Sequence, residues 1–326
     1  MVSKKAARAT EEVLAQVRAA RRDPNTEAAK AVLARALAAP GNAVIAAAAQ
    51  VVEEAQLTAL VPALLAAFAV LMDPPQSDPN CKGKTAIVRA LLALDADATQ
   101  VYLAGVRHFQ REPIYGGSVD TAAELRGMSA LALLRARHSQ GALLVAECLA
   151  DVEAVTRSAA ARALSELDPA GALPLLRYKL AIGDENPEVI GACLGSVLDH
   201  DAELGLKLGA QLLASPTPEA AEAVALALGE SRKPGAFALL RDFAADAGPS
   251  GRAVAFVAMT LLREEQATAH LVEVVAKGRK DHAAEAVRAL GNFRHDPRLK
   301  AQVEHAARQR GDPALLAQAQ KSFGAG

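Results

Sequence analysis

Tryptophan is missing from this chain, and tyrosine and phenylalanine together supply only 3% of its residues. Sandwich and barrel strands draw on β-branched and aromatic side chains, and no stretch of that composition recurs along the sequence. Apolar residues nevertheless make up 52% of the chain. The core material is therefore alanine, leucine and valine, which suits closely spaced helices. Cysteine is nearly as scarce. Cys81, Cys148 and Cys193 show neither metal-ligand spacing nor a disulfide framework, which excludes a disulfide-stapled scaffold. Cys148 and Cys193 lie in apolar helical runs as small core residues, and a reducing, cytoplasmic location is the expectation.

Long hydrophobic runs are also lacking. Residues 57–72 are apolar apart from Thr58, but the run falls short of the roughly 20 residues of a membrane span and contains Pro62. It is read as a buried helix, with no membrane partner. The opening residues Met1 to Arg8 carry charge with no apolar segment behind it, so no secretory leader is expected. Nor is there an excess of one charge, the net value being −1. Its distribution is uneven. Residues 1–40 hold eight basic and four acidic side chains, residues 277–326 hold ten and five, and the stretch between holds 18 and 28. Basic ends leave weak polyanion binding as a third-ranked possibility, while the acidic middle and the dearth of aromatics argue against an extended nucleic-acid track.

What the chain does contain is a repeated helix-start signal. Asp23-Pro24, Asp73-Pro74, Asp168-Pro169, Asp296-Pro297 and Asp312-Pro313 are accompanied by Asn186-Pro187, Ser215-Pro216 and Lys233-Pro234. A short polar side chain accepts from the orphan amides of a helix start, and proline at the first helical position gives up no needed N–H. Between these marks apolar residues recur at helical spacing, as at Val155, Ala159, Ala160, Ala163, Leu164 and Leu167. The unit repeats about every 31–33 residues with two helices in each, the signature of an array whose units cannot bury their apolar faces alone. About nine pairs follow: 26–54, 57–94, 98–137, 139–167, 169–200, 201–229, 234–263, 265–293 and 296–323. Residues 4–22 form an extra N-terminal capping helix whose Lys4, Lys5, Arg8, Arg18, Arg21 and Arg22 suit a solvated end. Gly191/Gly195 and Gly205/Gly209 fall on consecutive helices, where close helix approach would justify the roughly 1 kcal/mol cost of each glycine.

Asn186-Pro187-Glu188-Val189, the run from Arg162 to Leu176 and Ala286 to Gly291 resemble HEAT repeats, most nearly the short bacterial type also found in phycobilisome-lyase-like proteins. The resemblance implies an all-α, right-handed α-α superhelix, a single HEAT-like domain over 1–326, with the second helix of each pair on the concave surface. It departs from that pattern at Ile190, where family members place arginine shortly after the Pro-Glu-Val segment. Some HEAT proteins hold di-iron through His-Glu dipeptides, and this sequence contains none, so no metal or cofactor is expected. Others are DNA glycosylases with a basic, aromatic concave face. Arg89, Arg162 and Arg288 are too sparse to form one.

Two turns inside neighbouring pairs are lengthened, at 73–82 and 109–120, each ahead of a second helix. Second helices lie side by side about 10 Å apart, so both insertions should emerge on one ridge and touch, and insertions gathered on one edge often build a binding face. Gly83-Lys84-Thr85 lacks the first glycine and the preceding strand of a nucleotide loop. Lys82, Lys84 and the free amides there could still hold a carboxylate or phosphate, and Cys81 is either a reactive thiolate or a plain exposed loop thiol. The second stretch offers His108, Gln110, Arg111, Glu112, Tyr115, Asp120, Glu124 and Arg126. These could serve binding or acid–base chemistry. Alternatively Asp120 caps a helix beginning at 120 or 121, Gly116-Gly117 makes a turn, and Glu124 and Arg126 are surface residues. The expectation is a non-enzymatic scaffold that binds a protein or peptide through the concave face and this ridge. A lyase or other small-molecule enzyme with its site on the same ridge is the alternative.

Overall fold

The computed structural model describes residues 2–74, 77–215 and 217–324, with side chains from residue 8 onward. Pro75, Gln76 and Pro216, and the side chains of Lys4 and Lys5, lie outside the described residues. The fold is all-α and HEAT-like, built from consecutive helix pairs, and it divides into two compact units, residues 1–167 and 168–326.

The first unit opens with α1 (Val2–Ala20). Four pairs follow: α2 (Glu27–Leu37) with α3 (Asn42–Glu54), α4 (Val61–Met72) with α5 (Lys82–Ala93), α6 (Thr99–Val106) with α7 (Ala123–Arg135), and α8 (Gly141–Cys148) with α9 (Ala154–Ala163). Among the described residues the second unit holds five pairs. They are α10 (Pro169–Ile182) with α11 (Pro187–His200), α12 (Ala202–Leu213) with α13 (Pro218–Ser231), α14 (Ala236–Asp246) with α15 (Pro249–Leu262), α16 (Glu265–Lys277) with α17 (Lys280–Leu290), and α18 (Pro297–Arg310) with α19 (Pro313–Gly324). In each unit the second helices stack in series: α3, α5, α7 and α9 in one, α11, α13, α15, α17 and α19 in the other. Their packed faces are the core. Ile87, Val88 and Leu91 of α5 and Val224 and Leu228 of α13 are fully buried, each contributing about 1.5–3 kcal/mol of hydrophobic stabilisation.

Helix starts follow the Asp-Pro logic where the side chain reaches the next turn. Asp168 accepts from Gly171 N–H at 3.1 Å, Asn186 from Glu188 at 2.9 Å and Asp296 from Arg298 at 2.9 Å. Such caps contribute about 1 kcal/mol apiece. Three marks act differently. Thr26, not Asp23, caps α2 by accepting from Ala29 N–H at 3.2 Å. Asp73 closes α4 rather than opening a helix. Lys233-Pro234 precede Gly235, which begins α14 at φ 96°. Close approach explains two of the helical glycines: a Cβ on Gly191 would lie 3.1 Å from Ala223 O, and one on Gly205 2.9 Å from Leu198 Cα. Gly195 faces open space.

One element is not foreseen from the sequence, which reads as a loop over 109–120. Between α6 and α7 the backbone forms an antiparallel hairpin, β1 (Arg111–Ile114) and β2 (Gly117–Asp120), in register Arg111–Asp120, Glu112–Val119, Pro113–Ser118 and Ile114–Gly117. Tyr115 and Gly116 make the turn. Gly116 at φ 84° takes the left-handed position that the second central residue of a type II turn requires.

Candidate functional site

The two insertions meet. Asn80 N–H donates to Glu112 Oε1 at 2.7 Å, and Gln110 Nε2–H donates to the Asp78 carbonyl at 2.7 Å. What joins them is a buried polar network anchored on helix starts. Asp78 Oδ1 accepts from Gly83 N–H at 2.8 Å and Asn42 Nδ2–H at 2.9 Å, while Oδ2 accepts from Lys84 N–H at 2.8 Å. The amides that open α5 are thus already bound to a carboxylate of the same chain, which corrects the expectation that they were free for an anion. Lys84 is fully buried, its Nζ 2.6 Å from Gln110 Oε1 and 3.1 Å from His108 Nε2. His108 Nε2 also lies 3.3 Å from Gln110 Oε1, so it accepts from Lys84 in one tautomer and donates to Gln110 in the other.

The hairpin is fastened by its own base. Glu112 Oε1 also accepts from Gln110 Nε2–H at 2.6 Å and Thr121 Oγ1–H at 2.8 Å. Asp120 Oδ1 accepts from Gln110 N–H at 3.1 Å and Ala122 N–H at 3.0 Å, just ahead of α7, which starts at Ala123 and not at 120 or 121. Arg126, expected on the surface, is only 1% exposed. Its Nη1 donates to Asp120 Oδ2 at 2.7 Å and the His108 carbonyl at 3.0 Å, and its Nε and Nη2 grip both oxygens of Asp151 at 2.8 and 2.9 Å. The Phe109 ring covers the guanidinium at 4.1 Å, a cation–π contact.

Burial and charge set the protonation states. Burial pushes the Lys84 ammonium down against the pull of Cys81, Asp78 and Glu112. It also pushes His108 down, with Gln110 opposing and Lys84 assisting. For Asp120 burial opposes ionisation, but hydrogen bonds from Gln110, Ala122 and Arg126 outweigh it and hold the carboxyl below the usual range. Glu112 behaves alike, its burial being overcome by Gln110, Thr121 and Asn80. Burial disfavours the Arg126 charge, and the hydrogen bonds it donates to Asp151 and Asp120 more than restore it. Cys81 is fully buried and its thiol is pushed up to about 11 by that burial. It is neither an exposed loop cysteine nor an activated thiolate.

The candidate residues therefore separate into two groups. Cys81, Lys84, His108, Gln110, Asp120 and Arg126 are sealed and bonded to one another or their neighbours, with Glu112 half-buried beside them. Lys82, Arg111, Tyr115 and Glu124 remain at the surface, Glu124 held by Arg89 at 2.6 Å and Tyr115 fully exposed. Phe109, Ile114 and Val119 join Tyr115 as an exposed apolar group on the hairpin and its root. Asp78, Asn42, Thr121 and Asp151 hold the network together and were not singled out by sequence. Asp78-Pro79 repeats the Asp-Pro signal and could have revealed the first of them. Among the described residues no group of three His, Cys, Asp or Glu side chains is arranged to hold a metal ion, and no helix is long and apolar enough to cross a membrane.

Beside the network lies an open groove of about 520 Å³. It is lined by Ala43, Ala46 and Ala47 of α3 and Ala86 of α5, together with Glu53, Glu54, the Arg89–Glu124 pair, Asn80, Lys82 and Thr121. Alanine at these positions lets the backbone of two stacked second helices form the base of the groove.

No known family profile matches this chain, and no curated protein matches it. Solved structures are similar to it in helical architecture. The CpcE–CpcF complex of phycocyanin lyase from Nostoc sp. is 20% identical over 70% of this chain and 88% of that one, with a TM-score of 0.38. Human deoxyhypusine hydroxylase in complex with glycerol is 17% identical over 80% of this chain and 99% of that one, with a TM-score of 0.31. An engineered protein is 17% identical over 96% and 94%, with a TM-score of 0.36.

Proposed function

We propose that the chain is a non-enzymatic scaffold that binds a protein or peptide, and that its first unit holds a partner segment in the α3–α5 groove against the hairpin. The observation that carries this reading is what lines the groove. Asn80 and Thr121 line it and both bond to Glu112, so the network that fixes the hairpin also fixes part of the groove's lining. An apolar floor with charged rims is how a repeat face takes up an extended or helical segment. The groups best suited to acid–base or nucleophilic chemistry, His108, Lys84 and Cys81, are buried and occupied, which favours binding over the lyase-type alternative. Three free thiols accord with a reducing compartment, and the reading places the protein in the cytoplasm.

The test uses surface positions, because Glu112 and Arg126 belong to the structural network. Ala86→Trp fills the groove and Tyr115→Ala with Ile114→Ala strips the hairpin. Affinity capture followed by mass spectrometry should lose the same partners from both variants while circular dichroism stays unchanged. An unaltered partner set in both would overturn the assignment, and a small molecule retained in native mass spectra of the purified protein would favour the enzyme.

A further inference from the structure

The second unit carries a larger groove, about 1250 Å³, to which no sequence feature pointed. It runs between α16 and α18, with Val272 and Ala276 on one side, Leu299 and Ala306 on the other, and Phe293 beside them. That exceeds the roughly 300–1,000 Å³ of a small-molecule pocket, and aliphatic side chains alternate in its lining with polar and charged ones. Its charged lining is more telling. Lys277 is paired with Glu273 at 3.0 Å, and Asp296 is taken up by the start of α18. Arg232, Arg263 and Arg298 are exposed, line the groove and have no hydrogen-bond or ion-pair partner for their side chains among the described residues, against Glu265 as the uncommitted acid.

Two of these arginines are equivalent by repeat. Arg232 directly follows α13 and Arg263 directly follows α15, at φ 51° and 57°. The left-handed residue ends the helix there, so its side chain leaves from the turn edge instead of packing along the helix. Successive second helices are about 10 Å apart, and a polyproline-II segment rises about 3.1 Å per residue and brings every third side chain back to the same face. Two guanidinium groups one repeat apart therefore match carboxylates three residues apart on such an extended segment.

We propose that this groove docks an acidic, extended segment of a partner protein, with carboxylates on Arg232 and Arg263 and intervening apolar side chains against Val272 and Leu299. Arginine is the side chain suited to paired recognition of carboxylates. A nucleic acid would share the charge, but single strands are held by stacking on aromatic platforms, and Phe293 and His305 are the only rings lining the groove among the described residues. This site is separate from the α3–α5 groove and does not rest on it.

The experiment is fluorescence anisotropy on the full chain with three labelled probes: a peptide with glutamate at every third position and leucine between, the same peptide with lysine replacing glutamate, and an oligothymidine. The glutamate peptide should bind saturably and weaken with added salt, and the other two should not bind. Arg232→Ala and Arg263→Ala should each weaken it about tenfold, the weight of one charge-assisted hydrogen bond. Val272→Trp should abolish binding, and Ala86→Trp in the first unit should leave it unchanged. Both arginine positions are exposed, and thermal melting confirms that the variants stay folded. No binding of the glutamate peptide, equal binding of the lysine peptide, tighter binding of the oligonucleotide, or arginine variants that bind like wild type would each overturn the proposal.

Discussion

Replacing Arg126 by methionine keeps most of the buried volume and removes the charge, so it isolates the electrostatic role of the network. The wild-type guanidinium makes four donations, to Asp120 Oδ2 at 2.7 Å, the His108 carbonyl at 3.0 Å, and Asp151 at 2.8 and 2.9 Å. Methionine leaves both carboxylates in place, at 2% and 6% side-chain exposure, with no cation. Breaking a buried pair from one side costs about 3–5 kcal/mol, a large share of the roughly 5–15 kcal/mol that holds a domain. The pH dependence carries the sign. Asp120 has a depressed folded-state pKa, so its contribution is present above the unfolded value near 3.8 and is lost as pH falls through the folded one. In Arg126→Met the burial that opposes ionisation remains while an ion that overcame it is gone, so protonation relieves the variant and its deficit narrows as pH drops from 7 toward 4. Paired repeats unfold piecewise, which makes residue-resolved hydrogen exchange the suitable assay. Protection in α7 and α9 should fall by about 3–5 kcal/mol at pH 7 and by less at pH 4.5, with α13 to α17 unaffected. Removing the carboxylates as well, in Arg126→Met with Asp120→Asn and Asp151→Asn, should restore part of the loss. A deficit below about 1 kcal/mol, or one that does not change with pH, would refute the assignment of Arg126 as the charge that the network requires.

Thiol labelling at pH 8 gives an independent check on how firmly the ridge is closed. With Cys81 at about 11 and Cys148 and Cys193 at about 12, the native protein should resist thiol reagents and release all three thiols only on unfolding in urea, and fast native labelling at Cys81 would mean that the insertion opens. The helical glycines should respond in opposite directions to alanine. Gly195→Ala should stabilise by about 0.5–1 kcal/mol because open space surrounds it, whereas Gly205→Ala should destabilise by about 1–3 kcal/mol because its Cβ would press on Leu198, and denaturant midpoints for the two variants would show whether the signs differ.

Much of the architecture could be read along the chain because its causes are short in range. The bonds from Asp168, Asn186 and Asp296 to their caps span two or three residues, and the helical spacing of Ala160, Ala163 and Leu164 marks the face they bury. The hairpin was hidden for an equally local reason. Its strands are four residues long, Pro113 sits in one of them, and Val119 and Ile114 are its only β-branched side chains, so neither propensity nor alternation rises above the loop background.

The touching of the two insertions followed from the repeat length, since neighbouring second helices must lie side by side. What fills the contact did not. Lys84 meets His108 and Gln110 across 24 and 26 residues, Arg126 meets Asp151 across 25, and Asn80 meets Glu112 across 32. Sequence alone determined the helix pairs and the place of the ridge, because capping and amphipathic spacing act within a few residues. Only the tertiary structure decided that His108, Lys84 and Arg126 close into a buried lattice, leaving Tyr115 and Lys82 exposed beside the alanine-lined groove. Whether a polar side chain is spent on the fold or left for a ligand depends on which distant groups desolvate it and bond to it.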